Sequence, residues 1–88
     1  MIVEAEVLSE RANEYTGKKG KVEQTILSCI DRSPDHAFVN TFDYLLTPEE
    51  REKYRGKLGG KRVTLGLINA RPEFGGRLRF DGSLVKIH

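Results

Sequence analysis

Cysteine is nearly absent from the sequence, and tryptophan is wholly absent. The one cysteine, Cys29, has no partner for an internal disulfide, which excludes the disulfide-stapled class of small domains. It lies in an apolar run with Ile26, Leu27 and Ile30, so we expect a small buried hydrophobic side chain. A hydrophobic core must therefore supply the stability of the fold.

Histidine is also scarce, since His36 and His88 are the only residues of this type. Neither has sequence neighbours that suggest a metal cluster or a catalytic dyad. The run from Gly17 to Lys21 lacks the spacing and the following Ser or Thr of a phosphate-binding P-loop. No nucleophile motif is present either. We therefore expect no metal, no cofactor and no enzymatic activity.

Long apolar stretches are missing as well. No segment approaches the roughly 18 apolar residues that a membrane-spanning helix needs. Residues 1–10 carry acidic side chains where a signal peptide has basic ones followed by an apolar run. The expected compartment is the cytoplasm.

What the sequence does contain is an ordinary globular composition with an uneven charge distribution. A chain of 88 residues accommodates one domain, residues 1–88. Its formal charge is only +2, but residues 1–52 hold 6 basic and 11 acidic side chains, whereas residues 53–88 hold 9 and 2. This asymmetry favours a surface that faces a polyanion.

Apolar residues alternate with polar ones in several segments, which is the pattern of half-buried strands. The alternation predicts five strands, at residues 3–7, 22–30, 37–43, 63–67 and 78–87, with a bulge or bend at Gly82-Ser83. Residues 10–20 and 69–76 lack the pattern and are predicted as loops. Thr47, Pro48 and Glu50 form a capping signal that predicts a short helix over residues 48–55.

The order of these elements indicates the fold class. A helix between the third and fourth of five strands is the connectivity of an OB-fold, a five-stranded Greek-key barrel. An SH3-like barrel is the alternative, but it has no natural place for a capped helix after the third strand. We therefore predict an all-β OB-fold barrel with one short helix between strands 3 and 4.

OB-folds bind oligonucleotides across strands 2 and 3, between the loops that join strands 1 to 2 and strands 4 to 5. Both of these segments combine cations, which neutralise phosphates, with an aromatic ring, which can stack on a base. The predicted nucleic-acid-binding residues are Tyr15, Lys18, Lys19, Lys21, Phe38, Arg71, Phe74, Arg77 and Arg79. The alternatives are local loop packing for Tyr15, a core position for Phe38 with Phe42, and a hydrophobic plug at the barrel end for Phe74.

Gly20-Lys21 leads into Gln24, Cys29 and Asp31, and a second segment runs from Glu73 to Gly76. These two segments resemble the single-stranded-DNA-binding proteins of filamentous phages. The first is similar to that family's DNA-binding wing where it leads into the second strand. The run from Glu73 to Gly76 is similar to its aromatic loop. Val22 departs from the family, which commonly has Pro or Tyr there, and so does the capped helix.

The resemblance implies a symmetric homodimer in a host cytoplasm, encoded by a phage or mobile element. It also implies that Phe74 stacks on DNA bound by the partner subunit, and that Lys18, Lys19 and Lys21 contact the DNA backbone. Together with the residue pattern, it predicts sequence-tolerant binding and protection of single-stranded DNA in replication or recombination. A protein-interaction module and an RNA-binding OB domain are the alternatives that the sequence leaves open.

Overall fold

A computed structural model describes residues 2–32, 41–73 and 77–88 of the chain. These residues form five strands and one helix. The elements are β1 (Ile2–Gly17), β2 (Gly20–Asp31), β3 (Thr41–Leu45), α1 (Pro48–Tyr54), β4 (Arg62–Pro72) and β5 (Leu78–Ile87). The strands close into a barrel in the order β1-β2-β3-β5-β4, with β4 paired back onto β1. The β3–β5 pair is parallel, and the other four pairs are antiparallel.

The barrel interior is filled by the apolar side chains whose alternation predicted the strands. Each of the first four strands contributes to this core, and the segments that flank and follow α1 add two leucines. The cluster contains Val3, Ala5, Val7, Leu27, Cys29, Phe42, Tyr44, Leu46, Leu58, Val63, Leu65 and Leu67. Phe80 of β5 packs against it and meets Phe42 edge to face, with ring centroids 5.5 Å apart. Each fully buried Leu contributes about 1.5–3 kcal/mol.

The helix begins as its capping signal predicts. Thr47 accepts a hydrogen bond from the Glu50 backbone N–H, and the Glu50 carboxylate accepts one from the Thr47 N–H, which completes a capping box. Glu50 also accepts hydrogen bonds from the Tyr44 hydroxyl at 2.7 Å and from the Leu84 N–H at 2.5 Å. One carboxylate therefore joins the helix to β3 and β5.

The largest difference from the sequence prediction lies at residues 10–20, which were expected to form a long loop. Instead β1 and β2 continue as a two-stranded ribbon that pairs residue by residue up to Gly17 and Gly20. The turn itself is only Lys18 and Lys19, and Gly20 has a φ of 114°, which favours glycine. The prediction was wrong because most of this ribbon's side chains are exposed, so no apolar alternation marks it.

The other differences are shifts of boundaries and bulges. Residues 69–72 were predicted as part of a loop but belong to β4. They were missed because an extra residue at Ile68 breaks the apolar alternation. The extra residue of β5 is Val85, and a second register shift of the β4–β5 pair, at Ile68, lies opposite Asp81 and Gly82, beside the predicted bulge or bend. Of the predicted third strand, residues 41–43 are in β3, and residues 37–40 lie outside the described residues. Tyr44 and Leu46, which follow the predicted third strand, are part of the core.

Candidate nucleic-acid interface

A bulge in β1 decides which side chains reach the outer surface of the barrel. Val7 pairs with Cys29, but Ser9 pairs with Ser28, so Leu8 is an extra residue. Before the bulge the odd-numbered residues of β1 point into the core. After it, they share the outer face with the even-numbered residues of β2, since cross-strand partners point to the same side. Arg11 is thereby placed outside the barrel.

Following this register across the sheet defines one continuous surface, which we call the outer strip. It runs from the tip of the ribbon, along β1 and β2, and then across β3, β5 and β4. The outer strip consists of Tyr15, Val22, Asn13, Gln24, Arg11, Ser28, Asp43, Arg77, Arg79, Arg71 and Asp81.

Asp43 lies at the centre of the outer strip and is only 1% exposed. Its two carboxylate oxygens are held by two arginines: Arg77 Nη2 lies 2.7 Å from Oδ1, and Arg11 Nη2 lies 3.0 Å from Oδ2. Ser28 donates a further, longer hydrogen bond at 3.4 Å. The cluster therefore ties β1, β2 and β3 to Arg77, which immediately precedes β5.

The electrostatic balance at Asp43 follows from this geometry. Burial opposes the ionised form, but the hydrogen bonds and positive charges of Arg77 and Arg11 outweigh it and hold the pKa of the Asp43 carboxyl below its usual value. Asp43 is consequently ionised at neutral pH. Both arginine side chains remain partly exposed, at 49% for Arg11 and 38% for Arg77.

Two further arginines extend the positive surface toward β4. Arg79 is the cross-strand partner of Asp43 on one side and of Arg71 on the other. Arg71 forms a looser ion pair with Asp81, 3.7 Å away, and its side chain is 64% exposed. The barrel part of the outer strip thus carries four arginines against two aspartates, a net charge of +2.

The ribbon part of the outer strip is uncharged between Arg11 and the tip. Tyr15 and Val22 are cross-strand partners, with 48% and 36% of their surface exposed. Next to them, the Asn13 side-chain amide donates to the Gln24 carbonyl oxygen at 3.1 Å. This face offers an aromatic ring and amide groups.

The opposite face of the ribbon is chemically different. Lys21 pairs with Glu14 at 3.2 Å, and Glu23 pairs with Arg55 of the α1 C-terminus at 3.6 Å. Arg51 of the helix also donates to the Glu23 carbonyl oxygen. On this face Lys21 and Arg55 each have a glutamate of their own, whereas on the barrel part of the outer strip four arginines face only two aspartates, so the outer strip is the more favourable surface for an anion.

The structure brings some of the residues predicted from sequence together and separates others. Tyr15, Arg71, Arg77 and Arg79 lie on the outer strip, and Lys18 and Lys19 are exposed at the ribbon turn. Lys21 is on the opposite face. Phe38 and Phe74 lie outside the described residues.

Arginines 77 and 79 were expected to point outward, and their strand register agrees with that prediction. Sequence reasoning missed Arg11 and Asp43, because the Leu8 bulge that aligns them leaves no mark in the residue pattern. Among residues 2–32, 41–73 and 77–88, no group of three His, Cys, Asp or Glu side chains could hold a metal ion. The seven-residue helix α1 is far too short to cross a membrane, and the described part of the chain has no longer helix that could.

Comparison with known proteins gives no relative from which a role could be transferred: no family model, no curated protein and no solved structure matches the chain.

Proposed function

We propose that this chain is an OB-type barrel that binds single-stranded DNA with little sequence preference. The strand order β1-β2-β3-β5-β4, the parallel β3–β5 pair and the helix between β3 and β4 support the OB assignment. In that fold class, oligonucleotides bind across strands 2 and 3. Ser28 and Asp43, at the middle of the outer strip, are cross-strand partners on these two strands.

The single observation that carries the proposal is the composition of the outer strip. Arginines on the barrel neutralise phosphates, and Tyr15 at the ribbon offers a ring on which a base can stack. The bases of a single strand offer open faces to this ring, whereas the faces of bases inside a duplex are covered by the neighbouring base pairs, which favours a single strand. Lys18 and Lys19 at the ribbon turn add positive charge beyond Tyr15.

The proposal extends to a role in protecting single strands during replication or recombination, by a homodimer. The dimer follows from the phage resemblance alone. Light scattering tests it, since a dimer has twice the 10.0 kDa chain mass. A monomer at every concentration would remove the dimer and leave the binding proposal intact.

Fluorescence anisotropy tests the binding proposal directly. Labelled oligo(dT), oligo(rU) and duplex DNA of about 16 nucleotides are titrated with the protein at several salt concentrations. We expect the tightest binding to oligo(dT). In a plot of log affinity against log salt concentration, each neutralised phosphate should add about −0.7 to the slope. Preference for oligo(rU) would assign the protein to RNA, and binding to none of the three would refute nucleic-acid binding.

Tyr15→Ala tests the stacking part of the proposal. We expect affinity for oligo(dT) to fall by about 1–3 kcal/mol, the contribution of one stacked base. Ile68→Ala is the matched control, because Ile68 is 76% exposed and lies off the outer strip. Equal effects of the two substitutions would show that Tyr15 does not contact the DNA.

A further inference from the structure

We propose that Asp43 is a positioning residue that holds Arg11 and Arg77 as a preformed site for one phosphodiester group of the bound strand. The inference rests on the function proposed above and adds to it how the phosphate is recognised. Its consequence is unexpected on charge alone: an acidic residue at the centre of a DNA-binding surface raises the affinity for DNA.

The burial of Asp43 indicates that its carboxylate positions the two arginines and does not itself repel a bound phosphate. At 1% exposure, the carboxylate cannot itself meet a ligand, and both of its oxygens face arginine nitrogens. Charge-assisted hydrogen bonds of this length restrain one nitrogen of each guanidinium group. Both arginine side chains remain partly exposed beside the covered carboxylate, although the Nε of Arg77 is buried.

The two arginines come from distant parts of the chain, on β1 and just before β5, and Asp43 lies between them on β3. Without the carboxylate, each flexible side chain would have to be ordered when a phosphate binds. Ordering a side chain of this kind lowers affinity by roughly twofold to 12-fold, a loss that a preformed pair avoids. The net charge of Arg11, Asp43 and Arg77 together remains +1, so the site still attracts an anion.

A second aspartate on the same face provides the matched comparison. Asp81 also lies beside an arginine, but its side chain is 30% exposed and the Arg71 nitrogen is 3.7 Å away. An exposed pair with such loose geometry orders its partner little. Asp81→Asn therefore removes a negative charge from the outer strip without disturbing a preformed site.

The experiment compares Asp43→Asn and Asp81→Asn in binding labelled oligo(dT) at fixed salt. We expect affinity to fall by about fivefold to 150-fold for Asp43→Asn, the effect of ordering two arginines on binding. For Asp81→Asn we expect affinity to stay the same or to rise. If Asp43→Asn binds as tightly as the wild type, or more tightly, the positioning role is refuted. If the wild type does not bind oligo(dT), the proposed function fails instead.

If Asp43→Asn unfolds the barrel, a second variant keeps the inference testable. Arg11→Lys with Arg77→Lys conserves both charges and the Asp43 carboxylate but removes the planar forks. We expect at least fivefold weaker binding with a salt slope within about 0.5 of the wild type, because the number of cations is unchanged. Arg62→Lys, at an exposed β4 position off the outer strip, is the control. Unchanged affinity in the double variant would overturn the inference.

Discussion

Glu50 is the residue at which the stability of the fold is most sharply testable. Its carboxylate accepts hydrogen bonds from the Tyr44 hydroxyl, the Thr47 N–H and the Leu84 N–H, and so holds α1 against β3 and β5. Glu49, next to it in the first turn of the helix, is exposed and forms none of these bonds. Replacing each glutamate with glutamine removes the same charge from the same turn.

The expected cost of Glu50→Gln comes from geometry. The capping box accepts glutamine as well as glutamate, so the bond to Thr47 can persist. However, Thr47 N–H and the Tyr44 hydroxyl share Oε1, so when these bonds persist the glutamine NH2 group replaces Oε2 and faces the Leu84 N–H, which is itself a donor. A hydrogen bond to a charged group contributes about 1.5–3 kcal/mol, and an unsatisfied donor adds a penalty. We expect a loss of about 2–4 kcal/mol.

Thermal unfolding followed by far-UV circular dichroism at pH 7 measures the effect, since the chain has no tryptophan to report by fluorescence. At about 4–8 °C per kcal/mol for a domain of this size, Glu50→Gln should lower Tm by about 10 °C or more. Tyr44→Phe removes one of the hydrogen bonds, so its Tm should lie between those of Glu50→Gln and Glu49→Gln. If Glu50→Gln and Glu49→Gln melt within about 2 °C of each other, the carboxylate does not anchor the helix.

Three further outcomes are expected. Burial raises the pKa of the Cys29 thiol to about 12. At pH 8 we therefore expect the folded protein to react with a thiol-specific disulfide reagent more than about 100-fold slower than the urea-unfolded chain. Comparable rates would contradict the buried position. A Cβ on Gly82 would overlap a backbone carbonyl of β4, so Gly82→Ala should lower the free energy of unfolding in urea by about 1–3 kcal/mol. Gly59 has open space around it, so Gly59→Ala should leave that free energy nearly unchanged. Replacing Lys18 and Lys19 with Ala should reduce the salt slope of oligo(dT) binding by about 1 to 1.5, and an unchanged slope would show that the ribbon turn is not on the DNA.

The barrel strands and the helix could be predicted from sequence because each leaves a local signal. Core-facing Val63, Leu65 and Leu67 alternate with more exposed neighbours, and Thr47 with Glu50 marks the helix start whatever the rest of the chain does. These signals depend only on residues close together in the chain. They gave the number and order of the elements.

The ribbon could not be predicted, because its stability depends on partners rather than on burial. Asn13 faces Gln24 and Glu14 faces Lys21 across the two strands, and these pairs become neighbours only once the register is known. Both faces of the ribbon are largely exposed, so polar residues occupy both. A composition rich in glycine, lysine and asparagine then resembles a mobile loop.

The composition of the candidate site depends on one extra residue. Without the Leu8 bulge, Arg11 and Tyr15 would continue the inward pattern of Val3, Ala5 and Val7, and the ribbon would turn its Glu14 face toward the outer surface. With the bulge, Arg11 reaches Asp43 on β3. The bulge therefore places an aromatic ring, an amide pair and four arginines on one surface, while the acidic residues of the ribbon face the helix. A two-residue periodicity read from the sequence cannot reveal such a shift in phase. For that reason the arginine pair at Asp43 was not found from the sequence, whereas the lysines of the turn, which depend on composition alone, were.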